Sequence, residues 1–304
     1  MQLLYLLERL RNPVLDEIML VVTRLGEETA FLVLALIFFW CVDKHKGYYI
    51  MTVGFIGTIA SQFMKLLCRV PRPWVQDPDF TVVGNAKEAA TGYSFPSGHS
   101  QSAVGTLGSI AATTGKRWLR VLCIVFAVLV PVSRMYLGVH TPADVLVGSG
   151  LSLILVFGLR PAFRKKNDKF MKAMIAAMFA LAVCQLLFVE VFPFPADIDP
   201  HNLESGLKNA YTLLGCVVGV AVVYYVDSKW IHFQTKAAFW VQLIKVVVGL
   251  LLVLAVKEGL RAPLDALFAG HLVARAVRYA LLVIVAGNVW PLTFRWLSRL
   301  GEVK

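Results

Sequence analysis

Long uninterrupted apolar runs constrain this chain more than any other feature. The stretch "AMIAAMFALAVCQLLF" (173–188) and the stretch "VVVGLLLVLAV" (246–256) contain no ionised side chain. Runs of this kind, about 20 residues long, match the thickness of a bilayer. In hydrocarbon every backbone N–H and C=O has to be satisfied within the segment, so each run has to be helical. Nine spans are predicted at roughly 28–42, 47–67, 98–115, 118–138, 141–159, 171–192, 207–226, 237–256 and 271–293. The expected fold class is all-α, a polytopic transmembrane helix bundle, and with 58% hydrophobic and 16% charged residues the composition agrees. Gly215 and Gly219 are spaced for close contact between helices. The N-terminal "MQLLYLLERLRNP" has no basic leader or small-residue cleavage site, and reads as a short amphipathic helix at the interface.

Charge predicts the sides. One set of connecting loops carries 16 Lys and Arg against four acidic residues, among them Lys44, Lys116, Arg117, Arg160, Arg164 and Lys165. The other set carries 13 basic and 15 acidic residues. The Lys/Arg-rich side is expected to be cytoplasmic. That puts the N-terminus and the 68–97 loop outside and the C-terminus inside. The net charge of +11 then reflects orientation and anionic lipid, with no call for nucleic acid. The five cysteines stand singly, with no CxxC or Cys/His cluster, so neither a zinc site nor a disulfide framework is suggested.

Three polar clusters interrupt the oil, and all fall on the predicted outer face. "KLLCRVPRP" brings Lys65, Arg72 and Pro73 at the end of the second span. "GYSFPSGHSQS" opens the third span with Pro96, Ser97, Gly98 and His99. "SRMYLGVHTPAD" supplies Ser133, Arg134, His140 and Asp144. Three cations suit an anionic tetrahedral group, and arginine can bond phosphate oxygens bidentately. A helix mouth of Pro, Ser and Gly offers backbone amides and a favourable dipole to an anion. His140 and Asp144 are four residues apart, so on one helix the carboxylate would hold one imidazole nitrogen and present the other. His99 is a second histidine available for proton transfer.

These clusters resemble the motifs of the type 2 phosphatidic acid phosphatase superfamily, KxxxxxxRP, PSGH and SRxxxxxHxxxD, and every fixed position matches. The resemblance covers about residues 25 to 160. It implies a metal-free hydrolase with no cofactor, acting in two steps. His140 would attack phosphorus, oriented by Asp144. Lys65, Arg72, Ser97, Gly98 and Arg134 would hold the phosphoryl oxygens, and His99 would protonate the leaving oxygen. The implied partner is a phosphorylated lipid in a bacterial plasma membrane, with a polyprenyl diphosphate such as undecaprenyl diphosphate favoured. Phosphotransfer to an acceptor alcohol, or a lipid transporter or scramblase built on a phosphatase core, are the alternatives. Soluble vanadate haloperoxidases share a similar cradle, but nine spans argue against that reading.

Residues 1–165 are expected to form the phosphatase core and 166–304 a set of additional helices. In that second part Lys245 lies inside a span, where an ionised residue is a functional candidate by default. The loop "FPFPADIDPHNLESG" (192–206) carries Asp197, Asp199, His201 and Glu204, and an ordinary solvated loop is favoured there over a metal site.

Overall fold

The computed structural model describes residues 1–165 and 167–300. Among these residues it is helical without strands. The first part of the chain contains α1 (Gln2–Glu8), α2 (Pro13–Thr23), α3 (Glu28–Ile37), α4 (Lys44–Cys68) and the short α5 (Pro73–Gln76). After an irregular segment come α6 (Gly98–Thr113), α7 (Arg117–Tyr136) and α8 (Pro142–Arg164). Then follow α9 (Asp168–Val191), α10 (Pro200–Val226), α11 (Phe239–Gly259), α12 (Arg261–Leu267), α13 (Val273–Ile284), α14 (Trp290–Leu292) and α15 (Phe294–Leu300).

Among the described residues, seven helices are long and apolar enough to cross a membrane, or eight if the bent pair Pro13–Gly26 and Glu28–Val42 counts as one span. The count of nine is therefore approximate, and the third predicted span accounts for part of the difference. α6 has only sixteen residues, about 24 Å at 1.5 Å per residue, against roughly 30 Å of hydrocarbon. The first span also begins earlier than its hydropathy indicates. α2 is a helix from Pro13, capped by the Asn12 side chain on the Leu15 amide. It has only eleven residues, and a 55° bend separates Pro13–Gly26 from Glu28–Val42.

Two compact units are found. The first comprises Met1–Leu32, Tyr49–Lys165 and Pro193–Gly206. At its centre α6 packs along both α7 and α8, while α2 packs on α7. Small residues let α6 approach α8: a Cβ on Gly105 would lie 3.4 Å from Ser152 Oγ, and one on Gly108 would lie 3.4 Å from Val156. Where lipid removes the hydrophobic drive between helices, such close backbone packing holds them together. The N-terminal helix is tied down as well. The Tyr5 hydroxyl donates to Asp77 at 2.7 Å, and Arg11 Nε donates to the Tyr136 carbonyl at 3.0 Å.

The second unit comprises 33–48 with the described residues of 167–192 and 207–300. Gly215 and Gly219 do bring α10 against α13: a Cβ on Gly215 would sit 2.1 Å from the Ala276 carbonyl. Lys245 is fully buried. Its ammonium lies 3.4 Å from the carbonyls of both Gln234 and Thr235 and 4.4 Å from the centre of the Phe294 ring. Its charge is thus met by loop carbonyls and an aromatic face, which makes it a tether within this unit. Among the described residues no group of three or more His, Cys, Asp or Glu is placed to hold a metal. In the 192–206 loop, Asp199 instead accepts from the His201 and Asn202 amides at the start of α10. Among the described residues, none of the five cysteines forms a disulfide.

Candidate active site

The three polar clusters converge within the first unit. Lys65 comes from the last turn of α4, Arg72 from the residue before α5, and Ser97 from the residue that caps α6. Arg134 comes from the last turn of α7, and Asp144 from the first turn of α8. Lys65, Arg72, Ser97, Arg134, His140 and Asp144 are all buried.

His140 owes its place to two local devices. α7 ends at Tyr136, and Gly138 follows with φ of 84°. This left-handed turn suits glycine, and a Cβ there would also lie 2.7 Å from the Thr81 carbonyl. Beneath it, Tyr136, Leu137 and Val139 pack with Val83 and Ala86 in an apolar cluster. On the other side, Thr141 caps α8 and Pro142 occupies its first position. Asp144 completes a capping box, accepting from the Thr141 amide at 2.7 Å while its own amide donates to Thr141 Oγ1 at 3.3 Å. His140 therefore precedes the helix, and the pair does not share one helical face as its spacing suggested. The carboxylate reaches back to the imidazole because the capping box turns it toward the helix start.

The tautomer of His140 follows from its neighbours. Arg72 Nη1 lies 2.9 Å from His140 Nε2. A guanidinium can only donate, so Nε2 carries a lone pair and the ring is neutral. The proton then sits on Nδ1, which lies 3.4 Å from both Asp144 Oδ2 and Ser94 Oγ. Ser94 in turn donates to Asp144 Oδ2 at 2.5 Å. Burial, followed by the nearby charges of Arg72, Arg134 and Lys65, pushes the imidazole well below its usual pKa, which agrees with the neutral form.

The two arginines are held differently. Arg72 uses Nε on the Gly92 carbonyl at 3.0 Å, Nη2 on Thr91 at 2.7 Å, and Nη1 on Val139 at 3.0 Å as well as on His140. Lys65 donates to the neighbouring Tyr93 carbonyl. Arg134 donates from Nη1 to Thr23 Oγ1 at 2.9 Å, and its buried Nε has no partner. Arg134 and His99 face a polar cavity of about 640 Å³, whose wall also includes Thr23, Glu27 and Asn85.

The helix mouth differs from its expected form. Pro96 lies ahead of the cap, so α6 begins at Gly98 with Ser97 as its N-cap. Ser97 Oγ accepts from the Ser100 hydroxyl at 2.9 Å. The Ser97 amide is already bonded to the Asp144 carbonyl at 2.9 Å, so it ties α6 to α8 and does not point outward. Gly98 faces open space, since a Cβ there would meet nothing within 4 Å. Ser94, Thr23 and the carbonyls of Thr91, Gly92 and Tyr93 escaped the sequence reading. Ser94 reaches its partner across 50 positions, and no spacing marks such a contact.

A buried neutral histidine flanked by a carboxylate, with Arg72 in contact and Lys65 and Arg134 buried in the same unit, is an arrangement suited to an anionic phosphoryl group. Residues 45–168 match the PAP2 superfamily, and residues 211–302 match the transmembrane extension of the PAP2 superfamily phosphatases. The chain is 32% identical over 173 residues to phosphatidylglycerophosphatase B of Bacillus subtilis (strain 168), covering 53% of this chain and 81% of that protein. It is 30% identical over 148 residues to undecaprenyl-diphosphatase BcrC of the same organism, covering 48% and 74%. With sphingosine-1-phosphate phosphatase 2 of Homo sapiens it shares 24% identity over 213 residues, 67% of this chain and 50% of that protein. No solved structure matches the chain. The chain belongs to the PAP2 superfamily. It is an integral membrane lipid phosphatase, a phosphoric ester hydrolase.

Proposed function

We propose that this phosphatase hydrolyses a polyprenyl diphosphate, with undecaprenyl diphosphate favoured, through a phosphohistidine on His140. The observation that carries the mechanism is the contact between Arg72 Nη1 and His140 Nε2 at 2.9 Å. It leaves the lone pair on Nε2 and places a cation where a phosphoryl oxygen would arrive. The substrate preference rests on the undecaprenyl-diphosphatase relative. Phosphatidylglycerophosphatase B matches at somewhat higher identity and coverage, 32% and 81% of its length against 30% and 74%, so phosphatidylglycerophosphate is the competing substrate in the test.

In the first step the incoming phosphoryl group displaces the guanidinium from Nε2. The Nε2 lone pair forms the N–P bond to the terminal phosphorus as the phosphoanhydride P–O bond breaks, and His99 gives its proton to the departing oxygen of the lipid monophosphate. Asp144, directly and through Ser94, supports the positive charge that develops on the imidazole. Lys65, Arg72, Arg134, Ser97 and the Gly98 amide hold the phosphoryl oxygens. In the second step water attacks phosphorus, its proton passes to His99, and the N–P bond breaks to release phosphate. Three side-chain cations supply the charge stabilisation this chemistry requires.

An apolar groove of about 630 Å³ runs between α7 and α8 over α6, lined by residues such as Ala127, Val128 and Leu153. It also includes Met135 and Val145, the chain neighbours of Arg134 and Asp144. We assign it to the lipid tail. Loop charge supports an extracytoplasmic site, with the N-terminus outside and the C-terminus cytoplasmic, and the Bacillus subtilis relatives support a bacterial plasma membrane.

The test is phosphate release by the purified full chain in detergent with excess EDTA, on undecaprenyl diphosphate and on phosphatidylglycerophosphate. Release that persists in EDTA, and is lost in His140→Ala, is the expected result. Abolition by EDTA would overturn the metal-free mechanism, and turnover of phosphatidylglycerophosphate alone would overturn the substrate assignment. Phosphate appearing on an added alcohol rather than in water would identify a phosphotransferase.

A further inference from the structure

The residues that match the superfamily begin at position 45, yet the site is not complete without residues ahead of that position. α2 ends at Thr23, and the short turn Arg24–Gly26 follows. Gly26 presses this turn directly on the start of α6: a Cβ there would lie 2.8 Å from the His99 carbonyl and 2.9 Å from His99 Cβ. That contact delivers Thr23 to Arg134, where Thr23 Oγ1 accepts from Nη1 at 2.9 Å. Thr23 is 7% exposed and Arg134 2%.

The two arginines divide the work. Each of the three nitrogens of Arg72 already has a carbonyl partner. Arg134 is anchored by one neutral hydroxyl, with its buried Nε left unpartnered beside the cavity. A hydroxyl fixes the direction of the guanidinium without neutralising it, so the charge and an N–H donor stay available for an anion. A carboxylate in that place would compete with the substrate. One is near: Glu27, exposed on the wall of the same cavity, acts electrostatically on Arg134.

The geometry points to Thr23 as a positioning residue for the phosphatase reaction, which aims Arg134 at the phosphoryl group and keeps it from pairing with Glu27. The inference rests on the reading that Arg134 holds phosphoryl oxygens. Without the hydroxyl, the guanidinium turns to Glu27 and the cradle loses one cation.

The experiment uses the full chain in detergent and measures KM, kcat and the inhibition constant of inorganic phosphate, a probe independent of the lipid tail. Thr23→Val, nearly isosteric, is expected to raise KM and the phosphate inhibition constant in parallel by roughly tenfold, the scale of one hydrogen bond to a charged group. Thr23→Ser restores both. Adding Glu27→Gln to Thr23→Val lowers both again, because the competing carboxylate is gone. Thermal unfolding and size exclusion check folding, and Thr23→Ala carries the same prediction if Thr23→Val unfolds. A phosphate inhibition constant unchanged in Thr23→Val, a loss that serine does not restore, or a double variant no better than the single one would each overturn the inference. Arg134→Ala separates the two readings. If it binds phosphate normally, the role of Arg134 itself fails; if it loses phosphate while Thr23→Val does not, only the role of Thr23 fails.

Discussion

Replacing Ser94 by alanine removes one buried hydroxyl from between the carboxylate and the imidazole. That hydroxyl donates to Asp144 Oδ2 at 2.5 Å and lies 3.4 Å from His140 Nδ1. Its single proton goes to the carboxylate, so its lone pairs face Nδ1–H and complete a relay from imidazole to carboxylate. The direct path from Nδ1 to Asp144 Oδ2 has the same length, 3.4 Å, so without Ser94 the developing imidazolium keeps only one of its two contacts, and Asp144 loses the hydroxyl that donates to it. A hydrogen bond to a charged group contributes about 1.5–3 kcal/mol. At about 1.36 kcal/mol per factor of ten, its loss from the transition state slows turnover by roughly 10- to 150-fold. The effect belongs to kcat, because charge on the imidazole appears only as Nε2 attacks. Asp144 keeps its bond to the Thr141 amide at 2.7 Å, so the cap of α8 survives and the fold is expected to hold. The assay is single-turnover phosphate release in detergent, with thermal unfolding as the control. A folded Ser94→Ala protein with kcat within about twofold of wild type would refute the relay, since one buried charged hydrogen bond accounts for more than that.

Gly148→Ala is expected to push α6 from α8, because its Cβ would lie 2.5 Å from the Ser97 carbonyl; overpacking of this kind costs about 1–3 kcal/mol. Gly150→Ala, where a Cβ meets nothing within 4 Å, is the matched control, and comparison of their unfolding temperatures checks the difference. The lowered pKa of His140 carries an acid signature. Below about 6.5 the unfolded chain binds a proton at this side chain that the folded chain refuses until its own lower pKa is reached. Stability therefore falls with pH across that window, by up to about 1.4 kcal/mol per unit from this group. His140→Asn is expected to lose less unfolding temperature than wild type between about pH 7.5 and about pH 5. Ala127→Trp, which fills the apolar groove, is expected to raise KM for a long polyprenyl diphosphate and to leave a short-chain one unaffected; equal effects on both would remove the groove as the tail site.

The sequence by itself determined the class of fold and the chemistry on offer. Apolar runs admit only helices in hydrocarbon, and that constraint is local, so it can be read from one segment at a time. Residue types at fixed spacing also named the cations, the histidines and Asp144, because each short motif lies within a single stretch of chain. The spacing of Gly215 and Gly219 likewise announced a close helix contact. Tertiary structure decided what these pieces do to one another. α6 and α2 are each too short to cross alone, and their placement is settled by packing rather than by hydropathy. His140 and Asp144 meet across a helix cap rather than along one helix face, and the amide of Ser97 is spent on Asp144. Arg72 meets Nε2, Ser94 reaches Asp144 and Thr23 steers Arg134 over separations of 68, 50 and 111 residues. Such contacts depend on directional bonds between distant segments, and these have no period or spacing to betray them until the chain has folded.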